Sequence, residues 1–123
     1  MVRVASIDLG SNSTRMLIAD ITNGKITTIY KEHQVTRMAD KLSESKIISK
    51  EATKRVLKVL AGYFKTINKN NVENIQIVGT AALRHAKNSQ EITQLIEKKF
   101  GFEVDVVSGE EAVSYTHLRA HET

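Results

Sequence analysis

Val2, Val4 and Ser6 alternate with Arg3, Ala5 and Ile7, and the run stops at Asp8. That mostly apolar segment predicts a largely buried strand ending at Asp8. Gly10 to Ser13 are turn residues, and Arg15 to Ile21 returns to a strand pattern. An Asn23-Gly24 pair then separates it from a third run, the strongest short-range signal for a hairpin. The third strand is expected over Lys25 to Tyr30, continuing to Val35.

After Ser49 the period changes. Val56, Leu60, Phe64 and Ile67, with Leu57 and Val59 beside them, form one apolar stripe behind Ser49 as the N-cap of a long helix. Asn74 to Gly79 reads as a strand again. Asn88 is placed to cap a second helix, with Glu91 in the capping-box position, Ile92, Leu95 and Ile96 as its apolar residues and Gly101 as its stop. Phe102 to Gly109 closes the pattern as a strand running into glycine. The order β-β-β-α-β-α-β predicts an α/β domain with a mixed sheet.

Length and composition narrow the possibilities. A chain of 123 residues, 41% hydrophobic and 26% charged, is the size of one domain. No stretch approaches the roughly 18 apolar residues that cross a bilayer, and the N-terminus lacks a basic segment leading into an apolar signal core, so a cytoplasmic protein with no membrane partner is expected. With no cysteine, any metal would be held by oxygen or imidazole. A net charge of +4 is ordinary solubilising charge for a small domain. The three Tyr and three Phe are not interleaved with the basic residues, which argues against a base-stacking nucleic-acid platform.

The chemistry concentrates at the first loop. A carboxylate at the end of a buried strand, followed by Gly10-Ser11-Asn12-Ser13-Thr14, suits a phosphate: glycine admits close approach, and successive amides can point into one hollow. Asp8 would orient a divalent cation or a water beside the phosphate rather than touch it. The same residues also suit a tight hairpin turn whose polar groups satisfy only their own backbone. His85 has no orienting partner in the sequence and reads as a surface histidine. Lys31, His33, Arg37 and Lys41 read as a solvated face.

"IDLGSNSTRMLIAD" resembles the first phosphate-binding motif of the exopolyphosphatase/guanosine pentaphosphate phosphatase family, a branch of the actin, hexokinase and sugar kinase superfamily. In order after it, "RMADKL", "ISKEATKRVLKVLAGY", "IVGTAALRHAKNSQEI" and "VDVVSGEE" are similar to that family's basic-then-acidic segment, first long helix, second signature and third signature. The resemblance implies a ribonuclease H-like (actin-like ATPase) fold and hydrolysis of a terminal phosphoanhydride, from inorganic polyphosphate or guanosine pentaphosphate, with Mg2+. It also implies residue roles. Gly10, Ser11, Asn12, Ser13 and Arg15 match the phosphate contacts, with Thr80 and Arg84 from the second signature, and Asp8 matches the metal-organising carboxylate.

The third signature departs from the family pattern, which runs Ser-Gly, one variable residue, then Glu-Glu-Ala-Arg. Here the residues are Ser108-Gly109-Glu110-Glu111-Ala112-Val113. Without a gap, Ala112 falls where the catalytic glutamate belongs; with a one-residue deletion, Glu111 takes that role and Val113 replaces the arginine. Residues 1–111 therefore read as the N-terminal half of a phosphatase lacking its C-terminal domain, and 112–123 as a frayed or foreign tail. The parent is expected to be a homodimer, and the isolated chain nearly inactive. The alternatives are an ATP-dependent kinase of the same superfamily and a non-catalytic phosphate- or alarmone-binding module.

Overall fold

The computed structural model describes residues 1–107. Five strands form one mixed sheet: β1 (Val2–Leu9), β2 (Ser13–Thr22), β3 (Lys25–Val35), β4 (Asn74–Gly79) and β5 (Val104–Val106). Their spatial order is β3-β2-β1-β4-β5. β1 and β2, and β2 and β3, are antiparallel, whereas β4 runs parallel to both β1 and β5. At the hairpin between β2 and β3, Asn23 (φ 51°) and Gly24 (φ 78°) both take positive φ, as a two-residue turn matched to strand twist requires. The sequence expectations for all five strands hold within the described residues; Ser108 and Gly109 lie outside them.

Four helices accompany the sheet: α1 (Leu42–Ser45), α2 (Lys50–Lys69), α3 (Ala81–His85) and α4 (Ser89–Phe100). The observed order is thus β-β-β-α-α-β-α-α-β rather than β-β-β-α-β-α-β. α1 and α3 span four and five residues, too short for a 3.6-residue period to repeat. Ser49 caps α2 as expected, its hydroxyl accepting from the Ala52 amide at 3.0 Å.

Two details of the helices differ from expectation. The buried stripe of α2 is Ala52, Val56, Leu60, Tyr63 and Ile67, so Tyr63 takes the inward place and Phe64 lies at the flank. There the Phe64 ring stacks on Phe100 (4.9 Å) and Phe102 (5.5 Å), joining α2 to the end of α4. Asn88 stands at the N-cap of α4, but its side chain makes no capping bond. Its side chain pairs instead with the backbone of Ile48, accepting from the amide and donating to the carbonyl, both at 2.9 Å.

Strand alternation divides the core. Ala5, Ile7 and Leu9 of β1, with Met16, Ile18 and Ile77, pack against α2 and α4 through Leu60, Tyr63, Ile92 and Ile96. Val4, Ala19 and Ile21, with Val2, Leu17 and Ile26, form a smaller cluster on the opposite face. Asp8 shares that second face. Among the described residues no helix is long and apolar enough to cross a membrane.

Candidate phosphate-binding site

β1 and β2 are joined by Gly10, Ser11 and Asn12, and the closure is tight. The Gly10 amide donates to the Ser13 carbonyl at 3.0 Å, and a Cβ at Gly10 would stand 2.8 Å from that oxygen. Gly10 therefore serves by lacking a side chain, and its own N–H is not available to a ligand. This corrects the expectation that it donates.

The remaining loop amides are arranged by a segment that follows β3. Thr36 and Arg37 donate their amides to the Asn12 carbonyl at 3.0 and 2.9 Å, and Ala39 donates to the Ser11 carbonyl at 3.0 Å. In a planar trans peptide the C=O and N–H point in opposite directions, and no peptide bond among the described residues is cis. Tying the Ser11 and Asn12 carbonyls to residues 36–39 thus turns the Asn12 and Ser13 amides away from that segment. No group among the described residues accepts from the Ser11 or Asn12 amide.

The base of the loop is locked from below. Buried Thr14 and Thr36 share a hydroxyl–hydroxyl bond of 2.9 Å, and the Tyr63 hydroxyl donates to the Thr14 carbonyl at 2.7 Å. Burial pushes the Tyr63 phenol up to about 12, so it remains a neutral donor. Sequence reasoning did not single out Thr36 or Tyr63, and it read Arg37 to Ala39 only as part of the segment "RMADKL" and of a solvated face, not as a support for the loop; Thr36 offers a polar residue after a strand, which by itself signals only a turn.

Asp8 is half-buried, and its Oδ1 is enclosed without a hydrogen-bond partner. Desolvation raises its pKa above the ordinary carboxylate value, while the charge of Arg15, its cross-strand neighbour, pulls the other way. A buried carboxylate oxygen lacking a donor fits a cation or an ordered water. Among the described residues no group of three or more His, Asp or Glu could hold a metal. Asp8 by itself offers one carboxylate to a divalent cation, the rest of whose shell would have to come from water or ligand oxygens. Gln76, whose neighbour in the parallel register is Ser6, also has a buried and unpartnered side-chain nitrogen on the Asp8 face.

The second signature reaches the same end of the sheet. β4 lies beside β1 with Gly79 opposite Leu9, and the Thr80 amide donates to the Leu9 carbonyl at 3.3 Å. Thr80 thus stands next to the loop. Arg84 is exposed, and one guanidinium nitrogen donates to the Val107 carbonyl just past β5 at 2.8 Å. His85 is exposed. Lys31, His33, Arg37 and Lys41 are exposed along β3 and the segment after it; only His33 is paired in register with Arg15. Glu111 and residues 112–123 lie outside the described residues.

Known proteins share this fold. The crystal structure of the Aquifex aeolicus Ppx/GppA family member superposes with a TM-score of 0.85 at 34% identity, covering 89% of this chain and 36% of that one. An exopolyphosphatase from Cytophaga hutchinsonii gives 0.83 at 28% identity, covering 89% and 35%. A guanosine-5'-triphosphate,3'-diphosphate pyrophosphatase from Aliivibrio fischeri strain MJ11 is 38% identical over 107 residues, 87% of this chain and 22% of the relative. A relative from Haemophilus influenzae is 35% identical over 107 residues, 33% of its length. The chain therefore spans a third or less of the curated relatives named here. Its fold is the actin-like ATPase fold expected from the resemblance. Residues 17–122 match the model of the Ppx/GppA phosphatase family, and the chain belongs to that family.

Proposed function

We propose that this chain is the phosphate-grasping part of a phosphohydrolase that releases terminal phosphate from inorganic polyphosphate or guanosine pentaphosphate. The observation that carries the reading is the pair of loop amides turned away from residues 36–39, beside a desolvated carboxylate at the end of β1. Backbone donors that converge on one side suit a phosphoryl group, because they supply partial positive charge without a side chain that must be ordered. The names of the pyrophosphatase and exopolyphosphatase relatives support the substrate class.

In this reading Ser11, Asn12 and Ser13 grip the terminal phosphate, with Arg15, Thr80 and Arg84 around it. Asp8 holds Mg2+, which when bound neutralises phosphoryl charge. Water attacks the terminal phosphorus and the anhydride P–O bond to the leaving phosphate breaks. Glu111 is proposed to take the proton of that water. The opposite wall of the cleft is assigned to a second domain, as the greater length of the relatives suggests.

Titrating the isotopically labelled chain with tripolyphosphate and Mg2+ tests this. The expected result is amide shifts concentrated at Ser11, Asn12 and Ser13 that depend on Mg2+. Saturable shifts located elsewhere, or none at any of the three, would overturn the reading.

A further inference from the structure

We propose that Arg55 is a positioning residue for the phosphate loop, acting on the Ser13 amide through two consecutive peptide planes. Arg55 lies on α2 and belongs to neither phosphate signature. Its Nε donates to the Thr36 carbonyl at 2.7 Å and one terminal nitrogen to the Arg37 carbonyl at 3.2 Å. The same terminal nitrogen is 3.9 Å from the Asp40 carboxylate.

The connection to the loop follows from peptide geometry. The Thr36 carbonyl and the Arg37 N–H are opposite ends of one planar unit, and that N–H donates to the Asn12 carbonyl at 2.9 Å. The Asn12 carbonyl and the Ser13 N–H are opposite ends of the next unit. A cation at one end of such a series polarises each successive bond in the same sense. The guanidinium thus leaves the Ser13 amide both aimed and strengthened as a donor, without touching a ligand.

Backbone conformation points the same way. Arg37 adopts φ 51°, a left-handed conformation that a residue with a side chain keeps only when its surroundings hold it there. Arg37 is held on one side by its amide's bond to Asn12 and on the other by its carbonyl, which accepts from both the Asp40 amide, at 3.0 Å, and Arg55. A planar fork spanning two successive carbonyls is a geometry that arginine meets and lysine does not.

This inference rests on the phosphate-binding reading for its ligand, but the positioning itself has an independent readout. Amide hydrogen exchange at Thr36, Arg37 and Ala39 reports the hold on the loop carbonyls. In Arg55→Gln, exchange protection at these three amides is expected to fall about tenfold or more, as loss of a charge-assisted bond implies, with Leu60 and Ile67 unchanged. The ligand-free Ser13 amide proton should move upfield, and tripolyphosphate affinity should fall about tenfold. Arg55→Lys, which keeps the charge and one bond, should lie between and serves if the glutamine variant does not fold.

Unchanged protection overturns the proposal whatever happens to binding. Lost protection with wild-type affinity also overturns it, since the segment would then not set the loop. If tripolyphosphate fails to perturb the wild-type loop while Arg55→Gln still deprotects the three amides and moves Ser13, the positioning role stands and the phosphate reading fails.

Discussion

At Asp8 the backbone places an ionisable oxygen where no donor among the described residues reaches it. The ionised form is therefore costly in the folded chain, and its pKa is raised by desolvation despite the opposing charge of Arg15. A raised carboxyl pKa means that the fold favours the protonated form. The associated stability is fully present below the ordinary value of 3.8 and is lost as pH rises through the folded value. Asp8→Asn, which cannot ionise, should melt at a higher temperature than the native chain at neutral pH in the absence of divalent cations. The advantage should vanish below the ordinary carboxylate value. Thermal melts at the two pH values check this, and equal melting temperatures at neutral pH would contradict it. The same variant should lose the Mg2+ dependence of tripolyphosphate binding, the pattern expected when a residue is kept at a cost to stability. Asp8 and Gly10 were legible in the sequence because an acid at a strand end and a glycine in a short loop are local signals. The enclosure of Asp8 Oδ1 was not, because it depends on strands brought alongside β1.

Among the elements, α2 and α4 show how far a period carries. The apolar stripe identified α2 and four of its inward positions or their neighbours, but Tyr63 and Phe64 are adjacent and both fit a broad stripe. Tyr63 won the inward place because its hydroxyl reaches the Thr14 carbonyl 49 residues away, while Phe64 stacks on Phe100 and Phe102 at the flank. Asn88 likewise looked like a cap because Asn at that position and Glu91 three residues on form the right local pattern. Its amide instead completes a two-bond pair with Ile48, 40 residues away. The two roles separate experimentally. An N-cap accepts aspartate as readily as asparagine, whereas Asn88→Asp loses the donor to the Ile48 carbonyl and sets a negative charge against it. Asn88→Asp is expected to destabilise the chain by about 1–3 kcal/mol in urea denaturation. A change near zero would restore the capping role.

Over the whole molecule, β1 and β4 run parallel and deliver both signatures to one end of the sheet. Ligands of open α/β sheets bind at that end, beyond the carboxyl ends of the strands. In the proposed reading this sheet supplies one wall of the cleft. Phosphoryl transfer depends on holding the attacking water and the phosphorus in line, and a displacement of ~1 Å can cost about a hundredfold in rate. This chain should therefore bind a short polyphosphate yet release phosphate at least about a hundredfold more slowly than a full-length relative assayed beside it. A colourimetric phosphate assay with Mg2+ decides it; turnover comparable to the relative's would show that one wall suffices.

By itself the sequence determined the strands, the two long helices, the mixed α/β class and the short loop that carries the candidate site. It could do so because period, turn chemistry and ordered signatures are properties of consecutive residues. Only the tertiary structure decided which way the loop amides face, that Gly10 keeps its own N–H for Ser13, and that Arg55 stands behind the loop. Those outcomes depend on hydrogen bonds between segments far apart in the chain, such as Thr36 with Asn12 and Arg55 with Thr36. No local pattern records such a partner, because either residue would look the same in the sequence if the other were elsewhere.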